Sequence, residues 1–241
     1  MTATVTDVPQ LAATTAPLET VEVDLYGNIH KAIRGELFAV TYAAGNVDPS
    51  HDAALEAVVG RWTTLAGLLV SHAAHEDTFV GPVLEHVDRD LVTAVTAAHA
   101  SIDAIMAEVG ALADDALGER REARRLPVHR LHLALASFTA TYLQHEEFEE
   151  LVVMPALAAR VTADELRSVH EAILASIPPD EMAMSLSMML PAINVDERVE
   201  VLAGVRAGAP AEVFTGVLGL AQSVLTPDAY AQVTRRLSAL G

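Results

Sequence analysis

Two segments of this chain repeat one pattern. HAAHEDTFVGPVL runs from His72 to Leu84, and HEEFEELVVMPAL from His145 to Leu157. Both read H-x-x-x-E-[DE]-x-x-x-x-P-x-L, 73 residues apart. Within a helix, positions i and i+4 share a face. His72 therefore pairs with Glu76, and His145 with Glu149, in two strongly apolar helices. Phe79 and Val152 are expected on the same buried stripes. Buried imidazoles and carboxylates need partners, and two such pairs offer four nitrogen and oxygen ligands. Two more histidines look inward. His30 is flanked by Ile29 and Ile33, and His99 lies close to Val95 and Ile102.

The elements that must position these groups can be checked against their spacing. Residues that face each other across an antiparallel hairpin straddle its loop evenly. The midpoint of His30 and His72 is 51, beside the turn GNVDPS. That of Glu76 and His99 lies between 87 and 88, just past Pro82, and that of His99 and His145 is 122, beside Gly118. The four histidines are thus expected near one level of one bundle. Propensity and apolar periodicity predict helices over roughly Val21–Ala44, His51–Val80, Asp88–Leu112 and Pro127–Val153. Pro82 and Pro155 are expected to mark the ends of the second and fourth.

Shorter helices are expected in the last 80 or so residues. Thr162 with Glu165, and Asn194 with Glu197, have the capping-box pattern. Thr226 and Pro227 form a cap and first-turn pair, while Pro178–Pro179 and Gly208–Pro210 separate elements. The fold class expected is all-α: an up-down-up-down four-helix bundle with additional short C-terminal helices. Residues 1–20 are expected to form a flexible lead, 21–157 the bundle, and 158–241 a helical extension packed on it.

Composition narrows the chemistry. The 241 residues are 51% apolar and include no cysteine. Disulfides, thiolate zinc sites, iron–sulfur clusters and cysteine nucleophiles are excluded, so any metal is held by nitrogen and oxygen. A formal charge of -18 disfavours nucleic acid and anionic membranes. No run reaches 18 consecutive apolar residues, so no membrane span is expected. A cytoplasmic location is expected from the missing cysteines and the absence of a basic signal-peptide start. There is no phosphate-binding glycine loop and no HExxH zinc motif, since the residue four after His145 is Glu149. The basic run at Arg120–Arg125 reads as a loop or helix start.

His30, His72, Glu76, His99, His145 and Glu149 form the candidate metal set. One metal would leave ligands over, whereas two could share them, with the glutamates bridging or capping. Imidazole with carboxylate suits iron, manganese or zinc, and such a set inside a helix bundle argues for a di-iron centre. His75, Tyr26, Tyr142 and His170 are further candidates to complete the shell. His86, His129 and His132 lie about 13 residues from the site level, roughly 20 Å along a helix, and read as bundle-end or surface residues. His51 belongs in or near a loop. Met182, Met184, Met188 and Met189 read as a core stripe, with a soft metal patch as the alternative.

At these residues the chain resembles the hemerythrin-like proteins, the HHE cation-binding domains. The resemblance rests on His30 in IHKAIR, His72 and Glu76 in HAAHED, His99 in AAHASI, and His145 and Glu149 in HEEFEELVVMP. It covers about residues 21–157. It implies a four-helix bundle around two non-haem irons with an oxo or hydroxo bridge, and casts Glu76 and Glu149 as the bridging carboxylates. Oxygen-carrying members place two histidines four residues apart on the third helix. Here Val95 and Asp103 flank His99 at that spacing, which implies an iron short of one nitrogen. Relatives with altered shells are linked to peroxide or nitric oxide chemistry, iron handling and oxygen sensing. The expected function is a di-iron protein that binds or reacts with oxygen species, with hydrogen peroxide disproportionation the most concrete form. The alternative is an oxygen, nitric oxide or iron carrier or sensor without turnover. The expected partner is a small ligand such as oxygen, peroxide or nitric oxide, with a homodimer supported by the C-terminal region.

Overall fold

The computed structural model describes residues 21–240. The flexible lead expected over residues 1–20 lies outside the described residues. Every regular element among the described residues is helical. Four long helices come first: α1 (Gly27–Asn46), α2 (Asp52–Val87), α3 (Arg89–Gly118) and α4 (residues 125–158). Each packs along its chain neighbour, and α4 closes back on α1. Five short helices follow: α5 (Ala163–Ser176), α6 (Pro179–Ala192), α7 (Val195–Gly208), α8 (Ala211–Val224) and α9 (Pro227–Ala239).

The long helices interlock because each buries residues alternately three and four apart. On α3 these are Val95, His99, Ile102, Met106, Val109, Ala113 and Ala116. On α2 the series Leu55, Val58, Trp62, Leu65 and Leu69 runs on to His72 and Glu76. On α4 it is Val128, Leu131, Leu135, Phe138, Tyr142, His145 and Glu149. On α1 it is Tyr26, His30, Ile33, Leu37, Val40 and Ala44. This 3–4 spacing is the seam of antiparallel bundle packing. Above the polar level the seam is a core centred on Leu65, Leu69, Leu135 and Phe138, with Trp62 edge-on to Phe138 at 5.3 Å between centroids. Below that level Tyr26, Val80, Leu84, Val95, Val153 and Leu157 form a second apolar cluster.

Four boundaries differ from the sequence reading. The first helix starts at Gly27 because Asp24 Oδ1 accepts from the Tyr26 and Gly27 amides and turns the chain there. α3 runs two turns further, to Gly118, since Ala113 and Ala116 keep the seam buried. The larger correction concerns the prolines, which do not end their helices. Glu76–Val80 and Glu149–Val153 are single π turns, and Pro82 and Pro155 sit in the first turn of the α-helix that resumes after each. A π turn adds one residue to the helical circuit. It therefore moves the buried stripe from Phe79 and Val152 to Val80 and Val153, leaving Val152 exposed.

Local capping behaves as its chemistry dictates. Both capping boxes are present, at Thr162 with Glu165 and Asn194 with Glu197, and the Thr226 side chain accepts from the Ala229 amide. Arg124 donates to the Leu117 and Glu119 carbonyls at the end of α3, satisfying groups that a helix terminus leaves open. The outward faces of α2 and α3 carry Glu56, Arg61, Asp103 and Glu108.

The short helices lie against the bundle at three places. α6 packs along α1, and its Met188 reaches the upper core. Lys31 of α1 pairs with Glu197 of α7. α5 lies against the π turn of α2, with Leu166 joining the lower cluster. α7, α8 and α9 close round Leu190, Leu202, Leu225 and Val233. Leu166 is the buried residue of α5. Leu166→Ala is expected to cost about 2–5 kcal/mol, read by urea unfolding. A loss well below about 1 kcal/mol would show that α5 contributes little to the lower cluster.

Candidate metal centre

Polar side chains take over the seam of all four long helices at one level. His30 on α1, His72 and Glu76 on α2, His99 on α3, and His145 and Glu149 on α4 meet between the two apolar cores. All are buried or nearly so, His30 completely. The six form two groups of four: His30, His72, Glu76 and Glu149, and Glu76, His99, His145 and Glu149. Within each group the candidate ligand atoms lie within 4.8 Å of one another.

Each glutamate gives one oxygen to each group. Glu76 Oε1 is 3.1 Å from His72 Nε2, and Glu76 Oε2 is 3.2 Å from His99 Nε2. Glu149 Oε2 is 3.4 Å from His30 Nε2, and Glu149 Oε1 is 3.3 Å from His145 Nε2. None of these four carboxylate oxygens has a hydrogen-bond partner, nor has His99 Nε2. Buried oxygens left unpaired are costly. A shared pair of cations would satisfy all of them, so the residues fit a metal.

Which nitrogen faces the centre is set by the second acid of each repeated pattern. His99 Nδ1 lies 3.0 Å from Asp77 Oδ1, and His30 Nδ1 lies 3.0 Å from Glu150 Oε1. Each ring then donates its Nδ1–H to a carboxylate and leaves the Nε2 lone pair for a metal, the arrangement that orients ligating histidines. Asp77 and Glu150 were not singled out in the sequence, although the [DE] position carried the signal. Arg34 was also missed. Its Nη1 and Nη2 donate to the two oxygens of Glu150 at 2.7 and 3.0 Å, and its Nε lies 3.0 Å from fully buried Glu146.

Electrostatics records the strain of this packing in the metal-free chain. Burial lifts the Glu149 carboxyl to about 8, helped by the charge of Glu76. Burial likewise lifts Glu146 to about 8, against the pull of Arg34. Burial lowers His72 and His145 to about 4. Burial opposes the charge on His99, yet Glu149 and Glu76 at its ring outweigh this and raise it to about 10. Burial also opposes ionisation of Glu150, but hydrogen bonds from His30 and Arg34 bring it to about 2. Tyr26 and Tyr142 are raised well above the ordinary tyrosine value, by burial first and then by Glu76 and Glu149. Both phenols stay protonated, with their rings against His30 and His145 at 5.2 and 5.7 Å.

The other candidates fall elsewhere. His75 is half-buried, 3.4 Å from Ser71 Oγ and stacked on Phe79. His170, His86 and His129 are exposed, and His51 caps α2. His132 faces the Thr41 carbonyl. Of the α6 methionines, Met188 packs into the core and the others are half-buried.

No curated protein and no solved structure matches the chain. Residues 22–127 match the family model described as the hemerythrin HHE cation binding domain. The match covers α1, α2 and α3 with His30, His72, Glu76 and His99, and stops as α4 begins. The fold then supplies His145 and Glu149 to the same level. Over residues 22–127, with His30, His72, Glu76 and His99 buried at one level, the chain is similar to the hemerythrin HHE cation binding domain.

Proposed function

We propose that this centre holds two irons and binds or reacts with small oxygen species, hydrogen peroxide foremost. The observation that carries this reading is the pair of four-residue groups sharing both glutamates. His30 and His72 would hold one ion and His99 and His145 the other, with Glu76 and Glu149 spanning both. Two irons, when bound, would supply the two electrons that reduce one peroxide to water and regain them as a second peroxide is oxidised to oxygen. The chain's own contribution is positional. Asp77 and Glu150 fix the rings of His99 and His30, and Arg34 balances the added negative charge of Glu150. Tyr26 and Tyr142 keep their protons and offer hydroxyls beside the centre. The apolar clusters above and below limit water and raise the strength of every charge interaction inside.

Metal analysis of protein grown with ample iron is expected to give about two irons per chain, the capacity of paired carboxylate-bridged sites in such bundles. Glu76→Ala and Glu149→Ala should each release metal and lower the melting temperature, because bound metal stabilises the folded state by mass action. His75→Ala and His132→Ala should retain it. Peroxide consumption should track iron content across this set. Consumption no faster than that of free iron would remove the enzyme reading, and reversible oxygen or nitric oxide binding by the same sample would support a carrier or sensor.

Asp77→Asn and Glu150→Gln are expected to weaken metal affinity by roughly 10–100-fold, as loss of a partner to a ligating histidine does. Competition with a chelator reads this directly. Unchanged affinity in both variants would deny the two acids an orienting role.

Metal affinity should also rise with pH. Between 6.5 and 8 the metal-free chain holds a proton on His99 and, in part, on Glu149, and cations must displace both. The sign for stability agrees. Both groups have folded values above their ordinary ones, so their favourable contribution is present at low pH and is lost as pH rises toward about 8 and 10. His72 and His145, lowered to about 4, act only below 6.5. The melting gap between loaded and metal-free protein should therefore widen from pH 6.5 to 8, with proton release on loading. A gap that narrows over this range would contradict the assignment.

A further inference from the structure

The two halves of the bundle are related by an approximate two-fold exchange. His30 corresponds to His99, His72 to His145, Glu76 to Glu149 and Asp77 to Glu150, with each pair on equivalent turns. One turn before its histidine, α1 carries Tyr26 and α3 carries Val95. Tyr26 covers the flank of His30 with its ring. Val95 is far smaller and cannot cover His99 in the same way. A cavity of about 290 Å³ occupies this region, between the π turn of α2 and the first turns of α3. Its inner wall is buried Tyr26, Glu76 and Val95, and its rim is exposed Asp77, Glu85 and Thr96. It thus leads from solvent to a carboxylate shared by both ligand groups. On the Glu149 side the corresponding acid, Glu150, is instead held by Arg34 beside buried Glu146.

We propose that small uncharged molecules reach the centre through this cavity, that Val95 sets its bore, and that the acidic rim of Asp77 and Glu85 selects against anions. This rests on the metal reading of the site and adds its route and its selectivity. The bore admits a diatomic molecule or a peroxide past a valine side chain. The rim has two carboxylates, and the cation beside Glu85, Arg89, is 3.7 Å away and extends into solvent. A neutral ligand meets no electrostatic barrier there, whereas an anion does. Tyr26 lines the inner wall that an arriving ligand meets.

The test uses the full iron-loaded chain, nitric oxide as the neutral probe and azide as the anionic one. Binding is followed by stopped-flow absorption, with iron content and melting temperature measured on every sample. Val95→Phe fills the bore and Thr96→Trp covers the mouth from the exposed rim. Each should slow nitric oxide binding on the order of tenfold, within the range over which access changes alter association, with iron content unchanged. Val95→Ala should bind no more slowly than the parent. Should Val95→Phe not fold, Thr96→Trp decides, since it lies outside the core. Glu85→Lys should speed azide binding several-fold at low salt and leave nitric oxide unaffected. Fully loaded Val95→Phe or Thr96→Trp protein that binds nitric oxide at the parental rate would overturn the route. Azide binding indifferent to Glu85→Lys would overturn the charge selection. A parent chain that takes up no iron would instead defeat the metal reading, and this inference with it.

Discussion

Repulsion between two carboxylates kept out of water organises the middle of this protein. Glu76 and Glu149 face each other inside the bundle with all four oxygens lacking hydrogen bonds. Like charges about 4 Å apart repel by about 4 kcal/mol even at the effective dielectric usual for proteins. The metal-free chain relieves this by retaining a proton on Glu149 and charge on His99. Bound cations would relieve it more completely, and the neighbouring groups suit that outcome. The imidazoles turn Nε2 inward, Glu150 and Asp77 hold Nδ1 of His30 and His99, and apolar clusters lie above and below.

The bundle accommodates this layer without changing its packing rule. The ligands occupy the same alternating three-and-four positions that carry leucine and valine elsewhere, so the helices need no new geometry to bring them together. The adjustment comes immediately afterwards. Both glutamates open a π turn, and the buried stripe resumes one residue late. That extra residue rotates the rest of each helix, and it lets a proline follow within the helix because the wider turn has already interrupted the regular ladder.

Near-symmetry and its breaking divide the labour. The two ligand groups are alike, with two histidines each and both glutamates in common. What surrounds them is not alike. Glu150 is clamped by Arg34, whereas Asp77 is half-exposed at the edge of a cavity. One flank is closed by charge, and the other holds a cavity between Tyr26 and Val95. A difference of a few side-chain atoms thus gives an otherwise symmetric centre a front and a back.

Much of this was legible in the chain itself. Helical periodicity, cap residues and turn residues depend on interactions within a few positions, so the all-α class and the long-then-short order of helices among the described residues follow from local sequence. The six candidate ligands were legible too, because i,i+4 spacing and loop midpoints are geometric consequences of a helical hairpin, and the fold does bring them to one level. Proline misled at Pro82 and Pro155, since a helix stop and a π turn look the same locally. Choosing between them depends on whether packing holds the helix together beyond the break. The partners of Asp77 and Glu150, the clamp of Arg34 and the cavity beside Val95 lie on different helices from the groups they serve. Sequence determines which side chains point toward the seam, but only the packed bundle decides which of them touch, and where a cavity is left beside Val95.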